Sequence, residues 1–571
     1  MLARRNLLLP ALLGLFVLIV YLFTFPNDIQ GNGDTWLRFE TTQSIVDNGT
    51  VYYSEFGTPT WTDKRVVPGV GHKLYSIYDP GQIVAMIPFY VVGKFVAHHF
   101  THDYVWTPRY IAFTVDDFFG AMLAIVFFLL GLRLGYSRRI SAMLTLIYAF
   151  ATVAWPDAES YLEHTQVTFF LALAALFAIV FVQEGLQRRW WVVGAALSVG
   201  CAFLTRYDTG VLLPLIPLYL AAAHIALRKP FIHPVDGDES AGTIRSALRN
   251  TWAARKDRRV ILGITLDWLV YTAALVPVFV AAAAWNYARF GSPIKTGIPP
   301  TFGEPIIQGL SGLLVSPGKG IIWYMPILFV LPFVIVPFCR QHRLITLFFA
   351  SIVVVEVLLF SNVIYWHGDP AWGPRYIYPT VPFLVLPLGI VLERWASLGA
   401  WTRRAFIAVV ALSFAIQVVG VVSPPYRFWY KEINAQLVTR QGFNWGYKYG
   451  HFWYYYYWDP SRNPILTGFR NLYEITALRV FGDNAYNLQA SPIPNYLHFN
   501  LANPVHSYEI NNYNIWWLAK MHPFLGTRKD MLLAALLLLA GAGTFVLLRR
   551  EMNDDSSETR HVVVALKRRP A

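Results

Sequence analysis

"RRNLLLPALLGLFVLIVYLFTFPNDIQGNGDTWLRFE", residues 4–40, begins with two arginines, runs apolar from Leu7 to Phe25, and then sets Asp28 and Asp34 among glycines. A helix of about twenty apolar residues crosses a bilayer. No small-x-small cleavage site precedes Pro26, so the run is expected to remain as a first span rather than to be removed as a signal peptide. The acids that follow it stand at a membrane surface. Turn formation and helix capping near Thr35 are the ordinary uses of such residues. That account suits Asp28 better than Asp34.

Working outward, the composition agrees with a membrane location. Of 571 residues, 55% are hydrophobic, 16% aromatic and only 14% charged, too little charge for a water-facing surface. The formal net charge of +13 is gathered in short clusters between apolar runs, which orients a membrane protein and argues against nucleic acid as a partner. Cys201 and Cys339 lie in or beside apolar runs and are expected in the core, with neither a disulfide framework nor a Cys-based metal site.

Apolar runs near 6–25, 109–131, 140–156, 165–184, 189–205, 208–227, 260–287, 321–338, 343–362, 374–393, 404–424 and 530–548 make twelve expected spans. Alternation from a cytoplasmic N-terminus puts "LRLGYSRR" (132–139), "QRRWW" (187–191), "LRKPF" (227–231), the stretch 245–259, "CRQHR" (339–343), "ERWASLGAWTRR" (393–404) and the basic tail on the cytoplasmic side. The segments 26–108, 157–164, 288–320, 363–373 and 425–529 fall outside. "YDPGQIVAMIPFYVVGKFVAHHF" (78–100) contains Pro88 and Lys94 and is read as a helix lying in the outer interface. The expected organisation is a transmembrane module over 1–424, an aromatic-rich outer segment over 425–529, and a last span with a basic cytoplasmic tail over 530–571. Residues 26–80 are expected to pack against 425–529.

"GNGDTWLRFETTQSIVDNG" (31–49) resembles the stretch after the first span of bacterial polytopic glycosyltransferases of the GT-C fold, relatives of protein mannosyltransferases and of the lipid A aminoarabinose transferase. "KLYSIYDPGQIVAMIPFYVVGK" (73–94), "FGSPIKTG" (290–297), "GLLVSPGKGIIWYMPIL" (312–328) and "WGPRYIYPTVPFLVLPLG" (372–389) extend the resemblance in the same order. The implied fold is an all-α GT-C-like bundle with a large first outer loop. The implied activity, at the extracytoplasmic face of the plasma (inner) membrane, moves a sugar from a polyprenyl-phosphate lipid to a glycan, lipid or protein acceptor of the cell envelope.

Such a transfer needs a carboxylate to deprotonate the acceptor hydroxyl and a cation beside the departing phosphate. The matching Gly-Asp makes Asp34 the expected catalytic base, with Asp28 second. Partial exclusion of water at the bilayer is expected to raise its basicity. Cations at outer loops or span ends run against the orientation rule and ask for a partner. Lys73, Arg206, Lys319 and Arg375 are therefore the donor-phosphate candidates, ion pairs with local acids or snorkelling being the commonplace alternative. Arg375 and Lys319 are preferred because each lies in a motif of the resemblance.

The acceptor or sugar cavity is assigned Glu163 and His164 from "WPDAESYLEHTQ" (155–166), with Asp116, Asp117, Tyr78, His367 and Trp372. Intramembrane acids such as Asp116 and Asp117 are costly unless they face a polar interior. Adjacent Glu163 and His164 point to different helix faces, so no metal or other cofactor is expected. The aromatic run "HFWYYYYWDP" (451–460) and Trp516–Trp517 suit interfacial anchoring or stacking on sugars. The competing class is a multi-span transporter or flippase. Glu356, in the middle of an apolar run, is the feature that favours it.

Overall fold

The structure is a computed structural model that describes residues 5–27, 33–53, 65–228, 257–298, 301–368, 371–424, 427, 457–482, 512–518, 524 and 526–566. It is a helical, polytopic architecture. Ten of the described helices are long and apolar enough to cross a membrane by length and composition. Twelve were expected, and the difference has a local cause. The run 140–156 forms α6 (Arg138–Phe150) of 13 residues, then breaks before α7 (Ala154–Ala158). At about 1.5 Å per residue α6 falls short of the roughly 30 Å apolar core of a bilayer. Helix α9 (Trp190–Thr205) has 16 residues, and 321–338 is divided by prolines 326, 332 and 337.

Helix α1 (Arg5–Thr24) packs on α5 (Val115–Arg133) and on the final helix Thr527–Leu566. Helix α8 (His164–Gln183) and the span Arg375–Glu393 are the most enclosed of the described spans, 78% and 83% buried, against 22% for both Arg258–Phe290 and the last span. The α8 alanines at 172, 174, 175 and 178 let α5 and α9 approach closely, as small residues do between membrane helices. Cys201 is half-buried, but Cys339 is exposed, because it lies on the outward face of Leu331–Gln341 rather than in the core.

The tenth helix was not among the twelve. Helix α3 (Pro80–Val96), extended by a π-helical turn to Thr101, has the length and apolarity of a span. Its course is nevertheless that of a hairpin with α4 (Trp106–Phe113), since Gly93 lies against the Pro108 backbone. Gln82 near the start of α3 donates to Asp116 at the start of α5 over 2.9 Å, so the hairpin leaves and rejoins the same end of the bundle. At that end α1 stops as well, where Thr24 donates to Glu159 over 2.7 Å.

The described part of 425–529 docks there too. Trp516 and Trp517 donate their indole N–H groups to the carbonyls of Leu22 and Phe23, and Asn27 donates to the carbonyl of Tyr513. The indoles thus cap the C-terminal carbonyls of α1, which a helix leaves unpaired. Of the expected packing of 26–80 on 425–529, the described residues show the Asn27–Tyr513 hydrogen bond, the tryptophans meeting α1 instead.

Candidate active site

Helix α2 (Gly33–Asn48) carries Asp34 in its first turn, where a negative charge is favoured by the helix dipole. Its start is pinned by Thr35, whose hydroxyl donates to the carbonyl of Tyr161 over 2.9 Å. Tyr161 holds a left-handed φ of 59°, a costly conformation for a bulky residue, in the turn that presents Glu163 and His164. A small hairpin, β1 (Val66–Pro68) paired antiparallel with β2 (Leu74–Ser76), brings Arg65 and Tyr78 to the same place. Buried Arg289 fixes the outgoing strand by donating to the carbonyls of Ser76 (2.6 Å) and Tyr78 (3.0 Å).

At the centre the Asp34 carboxylate accepts from Arg65 at 2.8 Å and from the Tyr78 hydroxyl, with the Arg375 guanidinium 3.9 Å away. Burial pushes this carboxyl up, but Arg65, then Arg375 and Arg38, and the Tyr78 hydroxyl outweigh burial and hold it well below the usual carboxylate range. The raised basicity expected at a membrane surface is thus reversed by guanidinium groups that the primary sequence keeps far apart.

One helical turn beyond Asp34, Arg38 lies 4.1 Å above the Tyr78 ring and pairs with Glu163 at 2.8 Å. Arg206, at the end of α9, reaches the same Glu163 at 3.7 Å and pairs with Asp208. Charges therefore alternate from Asp34 inward. Breaking a buried ion pair from one side costs about 3–5 kcal/mol. Arg38→Leu is expected to lower the melting temperature strongly, and adding Glu163→Gln to recover much of it; a single variant as stable as wild type would remove Arg38 from this network.

His164 is buried with its Nδ1 3.8 Å from Asp157, and neither ring nitrogen has a hydrogen-bond partner among the described residues. Burial pushes Asp157 up despite the Thr165 hydroxyl and the arginines nearby. Asp116 accepts from Gln82, while both oxygens of Asp117 lack a partner among the described residues. These acids face the protein interior, as their cost in a membrane requires. Among the described residues no group of three or more His, Cys, Asp or Glu side chains could hold a metal ion.

Other candidates are placed elsewhere. Lys73 is exposed at the tip of the β-hairpin, its ammonium 3.6 Å from the Tyr52 ring centroid. Lys319 turns its ammonium to the carbonyls of Ala371 (2.6 Å) and Gly373 (3.2 Å), so it braces the loop that carries Arg375. His367 stacks near Tyr457, and burial, reinforced by Lys319 and Arg375, pushes its pKa well down. Trp372 wedges against Gly420 and Gly468, between two outer helices. Asp28 lies outside the described residues. Glu40, one and a half turns past Asp34, pairs instead with Arg109 at 3.5 Å.

Four residues here escaped sequence reading. Arg38 has the one-turn spacing from Asp34 that makes helix neighbours, a usable signal. Arg65 in "DKRVV" and Tyr457 in the aromatic run had none beyond residue type. Asp79, which begins α3 ahead of a proline, accepts the backbone N–H of Tyr207 at 2.9 Å, and its other oxygen has no partner among the described residues. Burial, reinforced by Asp208, pushes its carboxyl up to about 7 against the Tyr207 N–H and Arg289 and Arg38.

An unfolded aspartate titrates near 3.9, so between about pH 4 and pH 7 the unfolded chain releases a proton that native Asp79 keeps. Stability supplied by the neutral carboxyl is full below about pH 4 and is lost as pH rises to 7; three units correspond to about 4 kcal/mol. Asp79→Asn is expected to melt above wild type at pH 8 and to close that gap at pH 4.5. An equal difference at both pH values would refute the assignment.

No family model matches this chain, and no curated protein matches it. Among solved structures it is similar to ArnT from Cupriavidus metallidurans bound to undecaprenyl phosphate, at 14% identity and a TM-score of 0.43, covering 95% of this chain and 78% of that one. The Archaeoglobus fulgidus oligosaccharyltransferase in complex with Zn and sulfate is similar at 11% identity and a TM-score of 0.46, covering 79% of this chain and 57% of that one. The archaeal oligosaccharyltransferase AglB from Archaeoglobus fulgidus, with an inhibitory peptide and a dolichol-phosphate, shares 12% identity at a TM-score of 0.33. This chain spans 97% of itself in that match and 56% of AglB. The TM-scores are low, and the likeness bears on neither residue roles nor substrate.

Proposed function

We propose that this protein is a membrane glycosyltransferase that moves a sugar from a polyprenyl-phosphate lipid to an acceptor hydroxyl at the extracytoplasmic face, with Asp34 as the base. The observation that carries the reading is the contact of one accessible carboxylate, 24% exposed, with Arg65, Arg375 and the Tyr78 hydroxyl at the end of the bundle away from the basic clusters. A carboxylate among guanidinium groups is what the reaction requires. The acceptor proton passes to Asp34 as the acceptor oxygen bonds to the anomeric carbon. The bond from that carbon to the phosphate oxygen breaks, and its electron pair stays on the phosphate, where the arginines neutralise the added charge. In this reading Glu163, His164, Asp116 and Asp117 are assigned to the acceptor side, and the loop of His367 and Trp372, which Lys319 braces, to the other.

Glu356 supports the transporter reading, since its carboxyl is buried inside a span with neither oxygen partnered among the described residues. Purified protein in proteoliposomes, supplied with a polyprenyl-phosphate sugar and a hydroxyl acceptor, is expected to form a new glycosidic bond. Movement of the lipid between leaflets with no new bond would replace the glycosyltransferase by a flippase.

A further inference from the structure

We propose that Arg289, in the last turn of the long helix Arg258–Phe290, is a positioning residue for the transfer. It fixes the segment Ser76–Tyr78 and, through it, both groups that donate to one oxygen of Asp34, so it orients the base without touching it. The inference rests on the glycosyltransferase reading above and adds a residue to which that reading gives no part.

Two donors converge on the same oxygen. Asp34 Oδ1 accepts from Arg65 Nη1 at 2.8 Å and from the Tyr78 hydroxyl. Both donors are carried by one short piece of backbone. The Ile77 N–H donates to the Arg65 carbonyl over 3.0 Å, and Tyr78 is the next residue. Arg289 Nη1 donates to the carbonyls on either side of Ile77, those of Ser76 at 2.6 Å and of Tyr78 at 3.0 Å. Trp285, one turn earlier on the same helix, adds its indole N–H to the Tyr78 carbonyl at 3.3 Å. The Tyr78 N–H donates to the Ser76 hydroxyl at 3.1 Å, and its ring lies under Arg38. The N–H, carbonyl and ring of Tyr78 are all engaged, so contacts other than Asp34 itself place the hydroxyl that meets Asp34.

A cation in the last turn of a helix is ordinary, since the dipole favours it there. The dipole alone does not account for Arg289. It is 0% exposed, and its hydrogen bonds end on neutral oxygens: the Ser76 and Tyr78 carbonyls, Asn286 Oδ1 at 2.9 Å and the Trp285 carbonyl at 3.4 Å. Burying a charge without a carboxylate partner is costly. What the guanidinium supplies in return is a planar, rigid fork that ties the helix end to carbonyls two residues apart. The hairpin sits so close to this helix end that a Cβ on Gly69 would stand 2.1 Å from the Arg289 carbonyl oxygen. A displacement of about 1 Å far from the chemistry can cost about 10²-fold in rate. Loosening the segment 76–78 therefore reaches Asp34 through its two donors.

The test is a double-mutant cycle. Arg289→Lys keeps the buried charge and loses the fork; Tyr78→Phe keeps the ring and loses the hydroxyl. These variants, singly and together, are purified whole in nanodiscs beside wild type and Asp34→Asn, and kcat for sugar transfer, the donor's Kd and the melting temperature are measured on each. Each single variant should lower kcat by about tenfold to a hundredfold with the donor's Kd unchanged. The double variant should be no slower than the slower single, because Arg289 acts through the segment that carries the Tyr78 hydroxyl. A merely structural Arg289 lowers the melting temperature instead, and its effect on kcat multiplies with that of Tyr78→Phe, as independent sites do. Multiplying losses, or full kcat in Arg289→Lys, overturn the positioning role. If Arg289→Lys does not fold, Trp285→Phe takes its place in the cycle, since it removes only the indole donor to the same carbonyl; a kcat loss that disappears once Tyr78 is Phe supports the role, and an undiminished or absent loss overturns it. Failure of the glycosyltransferase reading looks different. Asp34→Asn then transfers at full rate and the inference falls with its base, whereas an inactive Asp34→Asn with multiplying losses removes Arg289 alone.

Discussion

Asp34→Asn is expected to abolish sugar transfer while the protein still folds and still binds its lipid donor. The amide keeps the size of the carboxylate and a carbonyl oxygen that accepts from Arg65 and Tyr78, which both stand in contact with the native group. It cannot take a proton. Loss of a positioned general base costs a factor of about 10²–10⁴, which falls on kcat, because the missing interaction is one made as the proton moves. Donor affinity should hold or improve, since Arg65 and Arg375 no longer face a competing negative charge. A structural role for Asp34 gives the opposite pattern, lower stability and weaker donor binding together. Transfer and lipid binding measured on one preparation separate the two, and full transfer by the Asn variant would end the assignment and make Asp28→Asn the next experiment.

Arg375→Ala should fail at the other step. The guanidinium is almost fully buried behind Asp34, and the chain is bent to receive it at Gly368, whose φ of +67° a side chain rarely adopts. A charge-assisted hydrogen bond is worth about 1.5–3 kcal/mol, so the donor's Kd should rise about tenfold or more. Asp34 then loses its second cation, so its carboxyl titrates higher and its basicity is not impaired. The expected signature is a raised KM for the donor with kcat less affected. The same truncation at Lys319, whose ammonium faces two backbone carbonyls, should instead loosen the 371–375 loop and lower the melting temperature. If both variants lower donor affinity equally with unchanged melting, the difference in their surroundings has no functional meaning.

The two arginines nearest Asp34 illustrate how unevenly the site could be read. Arg375 lies at the start of an apolar run whose end the basic clusters assign to the outer side, where a cation is conspicuous, and it was expected to meet the donor phosphate. Arg65 sits in a polar stretch where a cation is unremarkable, yet it makes the shorter contact with Asp34. Lys73 and Lys319 were both donor-phosphate candidates, Lys319 the preferred one, and Lys73 is at an exposed hairpin tip while Lys319 is buried against carbonyl groups. A residue's type states what it can pair with. Only the approach of distant segments states what it does pair with.

What this sequence determined by itself is the part of the structure that depends on short stretches of chain. Runs of about twenty apolar residues must become helices in a bilayer, because every backbone polar group there has to be satisfied within its own segment. Hence the polytopic architecture, most of the long spans and the carboxylate of Asp34 just past the first of them were legible. Tertiary structure decided the rest. It turned α3 and α4 into a hairpin that rejoins the Asp34 end, and assembled Arg38, Arg65, Tyr78, Glu163 and Arg375 from four separate stretches of chain. It also reversed the expected direction of the Asp34 shift, and the reason is physical. Burial of a carboxyl is a property that the sequence near a membrane already implies, whereas the Coulomb field that overrides it depends on distances of a few ångströms between residues that the sequence keeps far apart.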